Sequence, residues 1–129
     1  MNQDLVNQLK VIFADENVVV YVYGSSVNGR MHSESDVDVA VVGSDLSQRG
    51  LIKKMNTIDS KRKIDARLVN SDQSPVYLSQ IIRSGKAILI KDEKLKTNFE
   101  VKAMKRYYDL IPYLEKYQTE GLKNYFVKK

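Results

Sequence analysis

The chain has no cysteine among its 129 residues. Disulfides and thiolate metal sites are therefore excluded. With two prolines and six glycines it also shows no linker, low-complexity tract or internal repeat. No apolar run approaches the ~20 residues needed to span a bilayer. The opening "MNQDLVNQLK" has neither the basic start nor the long apolar core of a secretory signal. A cytoplasmic protein is the expectation. Hydrophobic residues at 43% and charged residues at 29% are ordinary values, so a single soluble domain with a real core is expected. The formal net charge of +5 favours polyanionic ligands. The one dense basic cluster, "KKMNTIDSKRK" (53–63), is as well explained by a solvated helix face.

What is present reads as an α/β chain. Leu5, Val6, Leu9, Ile12 and Phe13 recur at helical spacing, which predicts an amphipathic helix over 3–14. "NVVVYVYG" (17–24) is β-branched and closed by glycine, a buried strand. "DVDVAVVG" (36–43) reads as a second strand and "KIDARLV" (63–69) as a third. Between them, Ser44 and Asp45 are candidate N-caps for a helix whose core face is Leu51, Ile52, Met55 and Ile58. Ser74-Pro75 starts a third helix that Gly85 stops. "AILI" (87–90) is a fourth strand, and from about residue 93 the pattern is helical, with Pro112 and Gly121 as kink or break points.

The last helix is apolar over too wide an arc. Leu95, Phe99, Ala103, Tyr107 and Leu110 fill one sector, and Val101, Met104, Tyr108 and Ile111 the next. Together they cover about 200°, against the ~100° stripe of one-sided packing. Only Glu100 interrupts the surface. Such a helix should bury one face on its own sheet and another on a partner.

The chemistry is carried by "VYVYGSSVNGRMHSESDVDVAVV" (20–42). Asp36 and Asp38 alternate with valines in a strand, so they project from one face. Two ionised carboxylates so placed repel unless a cation neutralises them. All-oxygen ligation suits Mg²⁺, which uses one or two carboxylates with waters and substrate phosphates. Asp65, in the apolar context of the third strand, is a third candidate, and three such carboxylates could hold two ions. Gly24 permits a close backbone approach at a turn, and Ser25 can help hold a phosphate. Gly24-x4-Gly29-Arg30 looks like a P-loop, but Arg30 and Met31 replace its Lys and Ser/Thr, so that mechanism fails. Arg30 remains a candidate nucleotide contact as a loop cation. His32 is expected to have no role.

Gly24-Ser25, ten residues, then Asp36-Val37-Asp38 resembles the signature of the polymerase-β-like nucleotidyltransferases. More narrowly, the chain is similar to the minimal nucleotidyltransferase (MNT) antitoxins of HEPN/MNT toxin–antitoxin pairs. Ser35, Asp65 and "FEVKAMKRYYD" (99–109) share in the likeness, which spans about residues 15–110. The resemblance implies a small mixed sheet of about four strands flanked by helices, with a long C-terminal helix. Residues 1–92 would form the nucleotidyltransferase core, and 93–129 a helical segment packed on it and on a partner, one domain in all. It implies that Asp36, Asp38 and Asp65 hold Mg²⁺ (two ions), with Asp65 able to accept the acceptor's proton. Gly24 and Ser25 would hold the phosphates of ATP. The implied reaction moves AMP to a tyrosine of a HEPN RNase toxin and silences it.

Two features depart from that pattern. Val27-Asn28 replaces a small, often basic, pair, and Arg67 shares a strand face with Asp65. Arg67 would contact phosphate or pair with Asp65 and weaken metal binding. Two other functions compete. One is an antitoxin that works by occlusion with a weak or inactive site. The other is a nucleotidyltransferase acting on an antibiotic-type small molecule, for which the ~40 residues after the fourth strand supply little of an acceptor domain. Five of the eight tyrosines lie from Tyr107 to Tyr125, where packing or interface use is the common role.

Overall fold

The computed structural model describes residues 3–24, 37–59 and 62–116. In chain order the elements are α1 (Gln3–Ile12), β1 (Val19–Tyr23), β2 (Val37–Val42), α2 (Gln48–Met55), β3 (Ile64–Val69), α3 (Pro75–Ser84), β4 (Lys86–Ile90) and α4 (Glu93–Lys116). The sheet order is β3-β2-β1-β4. β1 runs antiparallel to both β2 and β4, while β2 and β3 are parallel. This is the small mixed sheet that the sequence led us to expect.

Helices cover both faces, and strand alternation explains why. Val20, Val22, Val37, Val39, Val41 and Ala66 face α1 and α2, packing on Leu5, Leu9, Phe13, Leu51 and Met55. The alternate residues Val19, Tyr21, Ala40, Val42 and Val69 face α3 and α4, packing on Leu78, Ile81, Phe99 and Ala103. β1 and β2 are apolar on both sides because they are the two central strands. Lys91 Nζ donates to the carbonyls of Phe13 and Ala14, satisfying the open end of α1.

Two local expectations change. The N-cap of α2 is Ser47, whose hydroxyl accepts from Gly50 N at 3.0 Å. Ser44 instead donates to Glu16 at 2.7 Å and accepts from Leu46 N, so it and Asp45 belong to the loop. Ile52 is 47% exposed, because α2 packs on the sheet through Leu51 and Met55 and turns Ile52 outward. Pro112 lies inside α4 and does not end it. A missing N–H costs one helical bond, and α4 runs on to Lys116. Gly121 falls outside the described residues.

α3 starts as read, with Ser74 accepting from Tyr77 N and Pro75 in the first turn. Arg106 of α4 donates to the carbonyls of Ser71 and Gln73, which ties α4 to the β3–α3 loop. The two apolar sectors of α4 part company. Phe99 and Ala103 are buried on the sheet side, whereas Val101, Tyr108 and Tyr113 are largely exposed. Glu100 is half-buried, accepts from the Tyr21 hydroxyl at 2.5 Å and pairs with Lys96 at 3.2 Å.

Candidate active site

The carboxylates stand at one end of the sheet face that α3 and α4 cover. In the parallel β2–β3 ladder Asp38 is opposite Asp65, and in the antiparallel β1–β2 ladder it is opposite Tyr23. Residues directly opposite share a face, so Tyr23, Asp38 and Asp65 form one row across three strands. Arg67 lies on the same face of β3, opposite Ala40. Further along this face Ala40, Val42 and Val69 are buried under the helices. The row with the carboxylates is where that cover ends, which leaves Asp38 and Asp65 only half-buried.

Gly24 closes the row from the end of β1. Its φ is +78°, a left-handed backbone that glycine adopts without cost. A Cβ at this position would stand 2.6 Å from Asp38 Oδ2. The chain therefore passes close beside the carboxylate, which a side chain here would force to turn away. Glycine is favoured here first by conformation and then by space.

Of the candidate site residues, Gly24, Asp38 and Asp65 are thus brought together. Ser25, Arg30 and Asp36 lie outside the described residues, as do Val27, Asn28, His32 and Ser35. Arg67 Nη2 lies 3.6 Å from Asp65 Oδ2, with 60% and 42% of the two side chains exposed. A groove of about 400 Å³ lies between α2 and the β3 edge, on the other side of the sheet from the carboxylate row, lined in part by Met55, Asn56, Arg62, Ile64 and Asp65.

Two tyrosines join the site that the sequence did not single out. The hydroxyls of Tyr23 and Tyr77 are 2.9 Å apart, with the rings edge to face. Tyr77 comes from the first turn of α3, so this contact fixes that turn beside Asp38. Burial, foremost, then the Tyr77 hydrogen bond and the Asp38 charge push the Tyr23 phenol well above its ordinary value, while Arg67 works the other way. Tyr21 is pushed up too, by burial and by Glu100. The only sequence signal for Tyr23 was its place beside Gly24.

Unfolded phenols ionise near the ordinary value of 10.0, whereas these two stay protonated in the folded chain. Their contribution to stability is complete below that pH and is lost as pH rises above it. The melting temperature should therefore fall steeply from about pH 10 upward, and Tyr21→Phe should flatten that limb. Calorimetry between pH 8 and 11 checks this. A parent profile that stays level to pH 11 would refute it.

The polymerase beta nucleotidyltransferase family matches residues 7–94. The chain belongs to this family. The match takes in every strand of the sheet and both described carboxylates. The member described here is accordingly a nucleotidyltransferase. No curated protein matches the sequence. Among solved structures it is similar to a mutant MntA–HpeT toxin–antitoxin complex, at 18% identity and TM-score 0.71, covering 98% of this chain and 99% of that one. A toxin–antitoxin structure with AMP-PNP aligns at 22% identity and TM-score 0.64, over 94% and 98% of the two chains. A complex of tri-AMPylated Shewanella oneidensis HEPN toxin with MNT antitoxin aligns at 19% and 0.59, over 96% and 94%. At these identities the likeness is one of fold. It extends through α4, beyond the span of the family match.

The donor chemistry of the site fits a hard divalent cation. Asp38 and Asp65 offer carboxylate oxygens on neighbouring strands, about 4.8 Å apart in backbone spacing. Like charges placed opposite each other across a ladder are unfavourable, and a cation would relieve them. No group of three ligating side chains occurs among the described residues, which do not include Asp36. Among them, too, no helix is long and apolar enough to cross a membrane.

Proposed function

We propose that this chain transfers AMP from ATP to a tyrosine of a HEPN toxin and so acts as the antitoxin of that pair. The observation that carries the reading is the row formed by Gly24, Asp38 and Asp65, with the backbone passing close beside the Asp38 carboxylate. Asp38 and Asp65, with Asp36 as the sequence suggests, would hold Mg²⁺. When bound there, Mg²⁺ supplies neutralisation of the triphosphate charge. Gly24 lets the phosphates approach the backbone, and Ser25 and Arg30 keep their suggested contacts to the nucleotide. Asp65, which is open to solvent at the sheet edge, takes the proton of the acceptor phenol. The tyrosine oxygen bonds to the α-phosphorus, the α–β bridge breaks and pyrophosphate leaves. Catalysis is then mainly positioning and charge compensation.

Two observations support a protein acceptor. The chain aligns over nearly its whole length with chains of toxin–antitoxin complexes, one of which contains an AMPylated HEPN toxin. The outer sector of α4 also leaves Val101, Tyr108 and Tyr113 exposed, as a helix with a second partner would. Intact-mass spectrometry of the protein that co-purifies with this chain tests the reading. With Mg-ATP the partner should gain the mass of one or more AMP units. A tight partner whose mass never changes would sink it.

The Arg67–Asp65 ion pair favours one alternative, an antitoxin that neutralises by occlusion with a weak site. That reading expects neutralisation to survive Asp38→Asn. The two readings part on this variant.

A further inference from the structure

Arg67 follows Asp65 by two residues on β3, so both side chains leave the same face of the strand. Their contact is loose. At 3.6 Å it is longer than the about 2.7–2.9 Å of a charge-assisted hydrogen bond. With 60% of the Arg67 side chain and 42% of that of Asp65 exposed, water screens the pair strongly. The guanidinium is also felt at Tyr23, where it opposes the effect of Asp38, so its field spans the whole row. A weak, exposed pair at the β3 end of such a row is easily exchanged.

The two partners have better alternatives once substrate enters. A guanidinium forks onto phosphate oxygens in a geometry that one loose carboxylate contact does not use. A divalent cation, for its part, needs the Asp65 oxygens free of a competing cation. A nucleoside triphosphate carrying its metal offers both replacements at once.

We propose that Arg67 is an exchangeable latch: it holds Asp65 while the site lacks nucleotide and passes to a phosphate oxygen of the entering triphosphate, releasing Asp65 to the divalent cation. The inference rests on the nucleotidyl-transfer reading of the site and adds a positioning residue to it. Metal and nucleotide then bind cooperatively, because each frees or occupies a group that the other needs. The metal alone meets a carboxylate that is already paired. The nucleotide alone must draw Arg67 away from Asp65.

The test measures Mn²⁺ binding, from the magnetic resonance signal of the free ion, on the full chain and on Arg67→Gln. It is run without nucleotide and with α,β-methylene-ATP, whose α–β bridge cannot be cleaved. Without nucleotide, Arg67→Gln should bind Mn²⁺ about three-fold more tightly than the parent, the scale of an exposed ion pair. The methylene analogue should bind the variant about ten-fold more weakly, the scale of a lost charged hydrogen bond. Arg67→Lys, which keeps the charge without the fork, should fall between the two. Unchanged or weaker Mn²⁺ binding by Arg67→Gln without nucleotide would overturn the latch. Unchanged affinity for the analogue would overturn it equally. Neither readout needs an acceptor, so failure of the tyrosine-AMP reading would leave both intact and be recognised separately.

Discussion

Asp38→Asn should reduce nucleotidyl transfer about a thousand-fold or more and leave the fold intact. Of the described carboxylates, Asp38 has the most central place. It sits on β2, between Tyr23 of β1 and Asp65 of β3, with the Gly24 backbone close beside it. An amide has nearly the same shape but no charge. It would give a divalent cation one neutral oxygen in place of an anionic one, at a cost of several kcal/mol in transition-state charge compensation. Stability should respond in the opposite direction. The substitution removes one of two like charges facing each other across the ladder, a relief of a few tenths of a kcal/mol. Val37 and Val39, which anchor β2 in the core, are untouched. The melting temperature should hold or rise slightly while transfer of labelled AMP disappears. Transfer within ten-fold of the parent would remove Asp38 from the proposed machinery.

Gly24→Ala should be the second most damaging change, through geometry and not charge. The left-handed φ of +78° costs an alanine about 1–2 kcal/mol. The new methyl would also sit 2.6 Å from Asp38 Oδ2 and 3.6 Å from its Cγ, so the carboxylate has to turn away. A displacement near 1 Å in a catalytic group costs about a hundred-fold in rate. The expected result is therefore an activity loss of about that size together with a modest loss of stability. A double-mutant cycle separates the two causes. In an Asp38→Ala background the clash is gone, so Gly24→Ala should then cost only the backbone strain. An equal stability cost in both backgrounds would show that Gly24 does not crowd Asp38.

Much of this site could be read from the chain because its logic is local. A carboxylate flanked by valines is out of place in a buried strand, and alternation predicts residues 36 and 38 on one face, of which Asp38 is among the described residues. A glycine that ends a β-branched run signals a turn or a close approach. The caps of α3 follow from Ser74-Pro75 for the same local reason. The N-cap of α2 is Ser47 and not Ser44 or Asp45, although all three are competent capping residues. What chose among them was Glu16, far off in sequence, which takes up the Ser44 hydroxyl.

By itself, the sequence determined the order of helices and strands, which strand faces are apolar, and the residue types that point to a hard cation and a phosphate. These are properties of neighbours along the chain. Only the tertiary structure decided which strands lie side by side, and so that Asp65 is level with Asp38 and Tyr23. Register between distant strands depends on long-range packing and not on local spacing. The parallel β2–β3 pair is joined through α2, and nothing in "KIDARLV" states which of its residues will be level with Asp38. The same holds for the bond between Tyr77 and Tyr23 and for the division of α4 into a buried and an open sector. Each depends on where α3 and α4 come to rest against the sheet.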